Sequence, residues 1–303
     1  MPDYLSRDYV QKHLPVRPAD AHKGRMGSLA VLAGSRRYRG AALLAIESAM
    51  RSGVGLVRLL GIEAICVAAA TRLPGCILEP LAETYDGGIH SRELQPIIST
   101  PATALLAGCG MGNTRDTADL ILGLLADGDC PMVLDADALN VLAGQLDTGS
   151  DALLRDAALE VLACCGQPVI LTPHVGEMAR LAGLDAASVS VDMENTASRF
   201  SAQYSCVVVL KSHRTVIAGP DGSLLINDEA GNSGMAKGGS GDVLAGIIAS
   251  LLCQGMAPVE AAACGVWVHA RAGDICAQKL SRAGMLPQDM PRYLCDVWND
   301  LGA

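Results

Sequence analysis

Aromatic residues are scarce in this 303-residue chain: one Phe, two Trp and six Tyr, 3% of the total. A core must therefore be built from Ala, Val, Ile and Leu, the usual filling of a parallel sheet covered by helices. A basic surplus is also missing. The formal charge of −9 excludes general nucleic-acid binding, which needs a positive face. The eleven cysteines are scattered with no C-x-x-C pair, and Cys164 and Cys165 are adjacent, a poor spacing for a zinc site or an ordinary disulfide. They read as reduced thiols in a cytoplasmic protein. The start MPDYLSRDYV lacks the basic-then-apolar order of a signal peptide, and no apolar run is long enough to span a bilayer. Nor does a Pro/Gly/Ser-rich or charged linker divide the chain, which points to one domain over residues 1–303 with about the first 20 as a lead-in.

What is present is an alternation of strand-like and helical runs. Strand patterns at Ser28–Gly34, Gly55–Leu60, Thr103–Ala107, Pro131–Leu134 and Pro168–Leu171 alternate with helical patterns at Ala41–Arg51, Ile62–Ala70, Thr114–Leu125 and Asp151–Cys165. This order predicts an α/β fold with a mostly parallel sheet covered by helices on both faces. The pattern then changes to short strands at Cys206–Leu210, Thr215–Ala218 and Ser223–Ile226, with Pro220–Asp221–Gly222 as a turn. That predicts a short antiparallel hairpin closing one edge. Two long helices follow, Asp242–Gln254 and Pro258–Gln278.

Ligands of open α/β sheets lie beyond the carboxyl ends of the strands. Five polar clusters follow strand ends here: GSRRYRG after Ala33, GCGMGN after Ala107, DADALN after Leu134, TPHVGE after Leu171 and KSHRT after Leu210. Together they predict one extended crevice. A sixth cluster carries the chemistry. Gly231, Gly234, Gly238, Gly239 and Gly241 crowd the approach to Asp242, and a long apolar helical pattern follows. A glycine turn at a helix start offers unpaired N–H groups to an anion, and Asp242 beside it reads as a general base. The bland alternative, a flexible linker capped by an Asp, is less suited to so dense a run of glycines.

The other clusters admit two readings each. Asp135 and Asp137 suit either a metal or turn and cap chemistry. His174 and Glu177 suit a ligand-facing imidazole and a carboxylate that organises Mg²⁺ through water, or simply a helix N-terminus with Glu placed for the dipole. Lys211, Ser212, His213, Arg214 and Thr215 suit a grip on a nucleotide or a solvated turn tip. Arg36, Arg37 and Arg39 form a further basic turn. Gly108–Asn113 fails the dinucleotide fingerprint on spacing, which argues against a Rossmann dehydrogenase.

Taken in order, the segments HKG (His22–Gly24), AGS-x-x-YRGAALLA (Ala33–Ala45), RSGVGLVR (Arg51–Arg58), DADALN, TPHVGE, LKSHRTVIAGPDG and GNSGMAKGGSGDVLAG resemble the ADP/ATP-dependent NAD(P)H-hydrate dehydratases, repair enzymes of ribokinase-like fold. The similarity runs from about His22 to the C-terminal helices and is to the stand-alone form, without an epimerase domain. The resemblance implies that Asp242 contacts the hydrated nicotinamide as catalytic base, and that Gly241 lies against the nucleotide phosphate. It places Lys211 to Thr215 at the nucleotide and Ala41, Gly110 and His174 at the hydrated dinucleotide. It further implies ADP (or ATP) as co-substrate with Mg²⁺, release of AMP and phosphate, and a homo-oligomer, a tetramer above all. Ser240 stands where the family more often has threonine, and Cys109 and Met111 where it often has proline and leucine. A ribokinase-like small-molecule kinase would use the same loop and base, and a non-catalytic nucleotide sensor would keep only the fold.

Overall fold

The computed structural model describes residues 2–303. Twelve strands run in chain order: β1 (Asp3–Tyr4), β2 (Ser28–Leu32), β3 (Leu56–Ile62), β4 (Ile77–Leu81), β5 (Ala104–Ala107), β6 (Met132–Leu134), β7 (Gln145–Leu146), β8 (Gly149–Ser150), β9 (Val169–Leu171), β10 (Val207–Leu210), β11 (Thr215–Ala218) and β12 (Leu224–Asn227). Ten form one sheet in the order β1-β12-β11-β10-β9-β6-β5-β2-β3-β4, and β7 pairs with β8 as a separate ribbon. Within the large sheet β11 alone opposes its neighbours; the other pairs are parallel. The central strands are continuous buried apolar runs, as two-sided burial requires: β2, β5, β6, β9 and β10 lose nearly all exposure.

The expected parallel architecture with helices on both faces is what the chain forms. The antiparallel hairpin is present but does not close the edge. β1, from the segment expected to be a lead-in, pairs outside β12, and Leu5 and Val10 behind it are buried. The opposite edge, β4, has no clear strand pattern because Pro80 and Glu79 interrupt it; an edge strand tolerates a proline that a central one would not. The helices Met193–Tyr204 and Met290–Leu301 add to those that the sequence pattern predicts.

The glycine cluster leads into the helix Ser240–Cys253, in which every residue from Val243 onward is buried. It lies on β2, β5 and β6 between the helices Arg39–Arg51 and Pro258–Leu280. Gly246 makes this fit possible, because a Cβ there would sit 2.1 Å from the Ala45 carbonyl oxygen. The helix is thus docked at backbone distance, and its first turn is held above the middle of the sheet.

Candidate active site

Strands β10, β9, β6, β5 and β2 are neighbours in that order and run the same way. Their carboxyl ends place the five polar clusters side by side along one edge, a ledge roughly 19 Å across at the usual strand spacing. The helix beginning at Ser240 points its N-terminus at the middle of that ledge.

Its N-cap is Gly239, at φ +102°, with no side-chain cap. A Cβ there would be strained and would lie 2.7 Å from Leu44. Among the described residues the N–H groups of Gly241 and Asp242 find no protein acceptor. Two free amides and the helix dipole make an anion seat. Ser240, the first helical residue, has its Oγ 3.4 Å from Nε2 of His269. Burial pushes His269 down to about 4, so this imidazole is neutral at neutral pH. Nothing in the local pattern of its apolar helix singled it out.

Beside the seat, Asp242, Asp135 and Cys109 each bring a polar atom within 4.8 Å of the others. Burial first, and the Asp135 charge second, push Asp242 up to about 6. The Cys109 thiol is raised well above its usual value by burial and then by Asp242 and Asp135, so it is a thiol, not a thiolate. Asp135 is 2% exposed. Its Oδ1 accepts from Lys211 Nζ at 2.7 Å and from Thr172 Oγ1 at 2.7 Å. Lys211 loses charge stability by burial but regains more from Asp135 and Glu177, and its net shift is upward. Ala136 follows at φ +52°, a costly conformation for alanine that orients the two flanking carboxylates apart. Asp137 therefore turns the other way. It accepts from Gly112 N at 2.8 Å and Asn140 Nδ2 at 3.4 Å, stapling the GCGMG turn, while burial raises its carboxyl.

His174 caps the helix Val175–Ala182. Its Nδ1 accepts from Gly176 N at 2.9 Å and Glu177 N at 3.3 Å, and Glu177 Oε2 accepts from His174 N at 2.7 Å. The cap places the imidazole proton on Nε2, and burial, then Lys211 and Arg180, keep the ring neutral. Burial raises Glu177 to about 7 against the pull of Lys211. Backbone pairing between His174 and Lys211 joins the β9 and β10 clusters. In the turn after Lys211, Thr215 Oγ1 donates to Ser212 O at 3.1 Å and Ser212 Oγ meets His213 Nδ1 at 3.2 Å. Arg214 departs from the expected grip, since its guanidinium pairs with Glu194 at 2.8 Å. At the far end, Ala41 and Gly110 touch closely enough that a Cβ on Gly110 would lie 2.9 Å from that of Ala41.

The donor set does not suit Mg²⁺ held by the protein. Sulfur sits in the only three-residue cluster of candidate ligands among the described residues, Asp135 is neutralised by Lys211, and the carboxylate of Glu177, expected to organise the ion, closes a cap. A hard cation wants several oxygens.

Residues 29–295 match the model of a family described as NAD(P)H-hydrate dehydratase. The chain belongs to this family. An ADP-dependent (S)-NAD(P)H-hydrate dehydratase of Neisseria meningitidis is 37% identical over 273 residues, 89% of this chain and 84% of that one. The crystal structure of an ADP/ATP-dependent NAD(P)H-hydrate dehydratase of Bacillus subtilis, co-crystallised with ATP/Mg²⁺, is 30% identical with a TM-score of 0.83 over 99% of both chains. A ribokinase-like superfamily protein of Enterococcus faecalis is 26% identical with a TM-score of 0.79 over 99% of this chain and 96% of that one, so the fold is ribokinase-like. Of the bifunctional NAD(P)H-hydrate repair enzymes it matches, such as that of Moorella thermoacetica, the chain spans about half, 54% of that protein's length. Among the described residues no helix is long and apolar enough to cross a membrane.

Proposed function

We propose that this chain is an ADP-dependent (S)-NAD(P)H-hydrate dehydratase that restores hydrated NADH or NADPH, a hydro-lyase driven by nucleotide. The observation that carries the reading is Asp242, raised to about 6 and set at the mouth of an uncapped helix. A carboxylate so tuned is ionised at neutral pH yet basic enough to take a proton.

In the hydrate a hydroxyl occupies the ring carbon next to the ring nitrogen, and hydroxide is a poor leaving group at neutral pH. Asp242 takes the hydroxyl proton as that oxygen attacks the terminal phosphorus of ADP. The new O–P bond forms as the bond to AMP breaks. The amides of Gly241 and Asp242 face the transferring phosphoryl group and stabilise its charge. The ring nitrogen's lone pair then expels phosphate, and loss of a proton from the adjacent ring carbon restores the dihydronicotinamide. Ser212, His213 and Thr215 line the nucleotide side, and Ala41, Gly110 and the His174 Nε2–H meet the hydrated dinucleotide. Lys211 serves this side through its charge, held beside Gly241, and Arg214 only if it leaves Glu194. Mg²⁺ would come with the nucleotide instead of being held by the protein. The preference for ADP rests on the relatives' names. The cytoplasmic location and the tetramer remain part of this reading.

The test is incubation of the protein with NADH hydrate, Mg²⁺ and ADP or ATP, following the absorbance of restored NADH. A dehydratase yields NADH and inorganic phosphate. Accumulation of a stable phosphate ester would identify a kinase, and an unchanged nucleotide a binding protein.

A further inference from the structure

We propose that Asp135 and Lys211 form a positioning pair for Asp242: Asp135 presses its charge on the base, and Lys211 limits that pressure. The proposal rests on the reading of Asp242 as the general base and adds the device that tunes it.

The geometry is specific. Lys211 and Thr172 both donate to the same oxygen of Asp135, each at 2.7 Å. The other oxygen is left facing the helix mouth: a Cβ on Gly241 would lie 3.4 Å from Asp135 Oδ2 and 3.3 Å from Lys211 Nζ. A glycine preceding the base thus lets an ion pair approach its backbone. Asp135 reaches to within 4.8 Å of the Asp242 carboxylate. The strained Ala136, at φ +52°, turns Asp135 into the site while Asp137 staples a loop.

Two like charges this close cannot ionise independently. Left alone, Asp135 would hold Asp242 protonated and useless as a base. Left without Asp135, Asp242 would keep only the rise that burial gives it and would be a weaker base. The lysine sets the balance. The charged and titratable groups facing Asp242 are Asp135 and Asp137 from the end of β6, Cys109 from the end of β5 and Lys211 from the end of β10. His269, under Ser240 from the helix Pro258–Leu280, is neutral. Of these, Cys109 is a thiol, and the Asp137 carboxylate is occupied by Gly112. The pair Asp135–Lys211 is the part that can move the balance in both directions.

The experiment is a carboxyl NMR titration of protein labelled with ¹³C-aspartate, the Asp242 signal being assigned by its loss in Asp242→Asn. The wild-type signal should titrate at about 6. Asp135→Asn should make Asp242 about tenfold more acidic or more, and Lys211→Met about tenfold less, with Lys211→Arg close to wild type. If Lys211→Met does not fold with its buried aspartate unpaired, the double variant with Asp135→Asn removes both charges, and its Asp242 should be less acidic than in Asp135→Asn alone. Opposite movement is the signature of the pair. A titration unmoved by Asp135→Asn, or moved the same way by both substitutions, overturns it. The readout needs no turnover, so a protein that titrates as described yet leaves NADH hydrate untouched retains the pair and loses the proposed activity. A protein that restores NADH with an unmoved titration does the reverse.

Discussion

Two glycine turns lead into helices on the same edge of the sheet, and the structure treats them in opposite ways. In GCGMGN, Gly108, Gly110 and Gly112 all take positive φ, but the helix that follows is closed. Thr114 caps it by accepting from Thr117 N at 3.1 Å, and Asp137 accepts from Gly112 N. In GGSGD the helix starts at once behind Gly239, uncapped, with the amides of Gly241 and Asp242 free. Glycine content makes either turn possible. What separates a connector from a seat is whether a side chain has already answered the helix N-terminus.

The difference should show most sharply at Asp242. Asp242→Asn is expected to lower kcat/KM for the hydrate by about 10²–10⁴-fold while raising stability at pH 8 by roughly 1–3 kcal/mol. Its folded carboxyl is raised from 3.8 to about 6, so the native state holds its proton more tightly than the unfolded chain. Native stability therefore falls as pH rises from 3.8 to about 6 and stays lowered at pH 8, a loss the amide does not suffer. Turnover assays and urea melts check both halves, and near-normal turnover would remove Asp242 from the mechanism.

Next in size are glycine substitutions in the two turns. Gly239→Ala combines backbone strain with a 2.7 Å contact to Leu44 and should raise the KM for ADP about tenfold or more. Gly112→Ala at φ +89° meets nothing nearer than 3.8 Å. It should cost about 1 kcal/mol from strain alone with the ADP KM unchanged. Equal KM effects would mean that the two turns do not differ in use. The pH dependence follows. With a base at about 6, log kcat/KM should rise with slope one up to about pH 6 and flatten above it, and a profile flat to pH 5 would contradict it. The smallest effect is at the closed turn, where Thr114→Ala should cost about 1 kcal/mol in a thermal melt and leave kcat alone.

The sequence made the parallel core and its strand-end clusters legible because both depend on local pattern: apolar runs of strand length, then polar residues at their ends. It left out what depends on partners far away. β1 is two residues long and is recognisable only once β12 is beside it. The pairing of Lys211 with Asp135 spans 76 positions, so KSHRT reads as a row of free cations when one of them is neutralised inside the site. Arg214 is likewise held by Glu194. His174 and Glu177 were visible as a motif, and even the dull reading, a helix start, is correct, since they make its capping box. The equal footing of Asp135 and Asp137 is resolved by the sign of one φ angle at Ala136, which no composition or periodicity expresses.

An uncapped helix in the middle of a folded protein is unfinished business for the chain itself. The two free amides of Gly241 and Asp242 are left to water when no anion is there. A phosphoryl group would supply the cap that the sequence omits, so that occupancy and folding would be linked quantities. At a nucleotide concentration a hundredfold above its dissociation constant the native state should gain about 2.7 kcal/mol, and the melting temperature would then serve as a gauge of bound ligand.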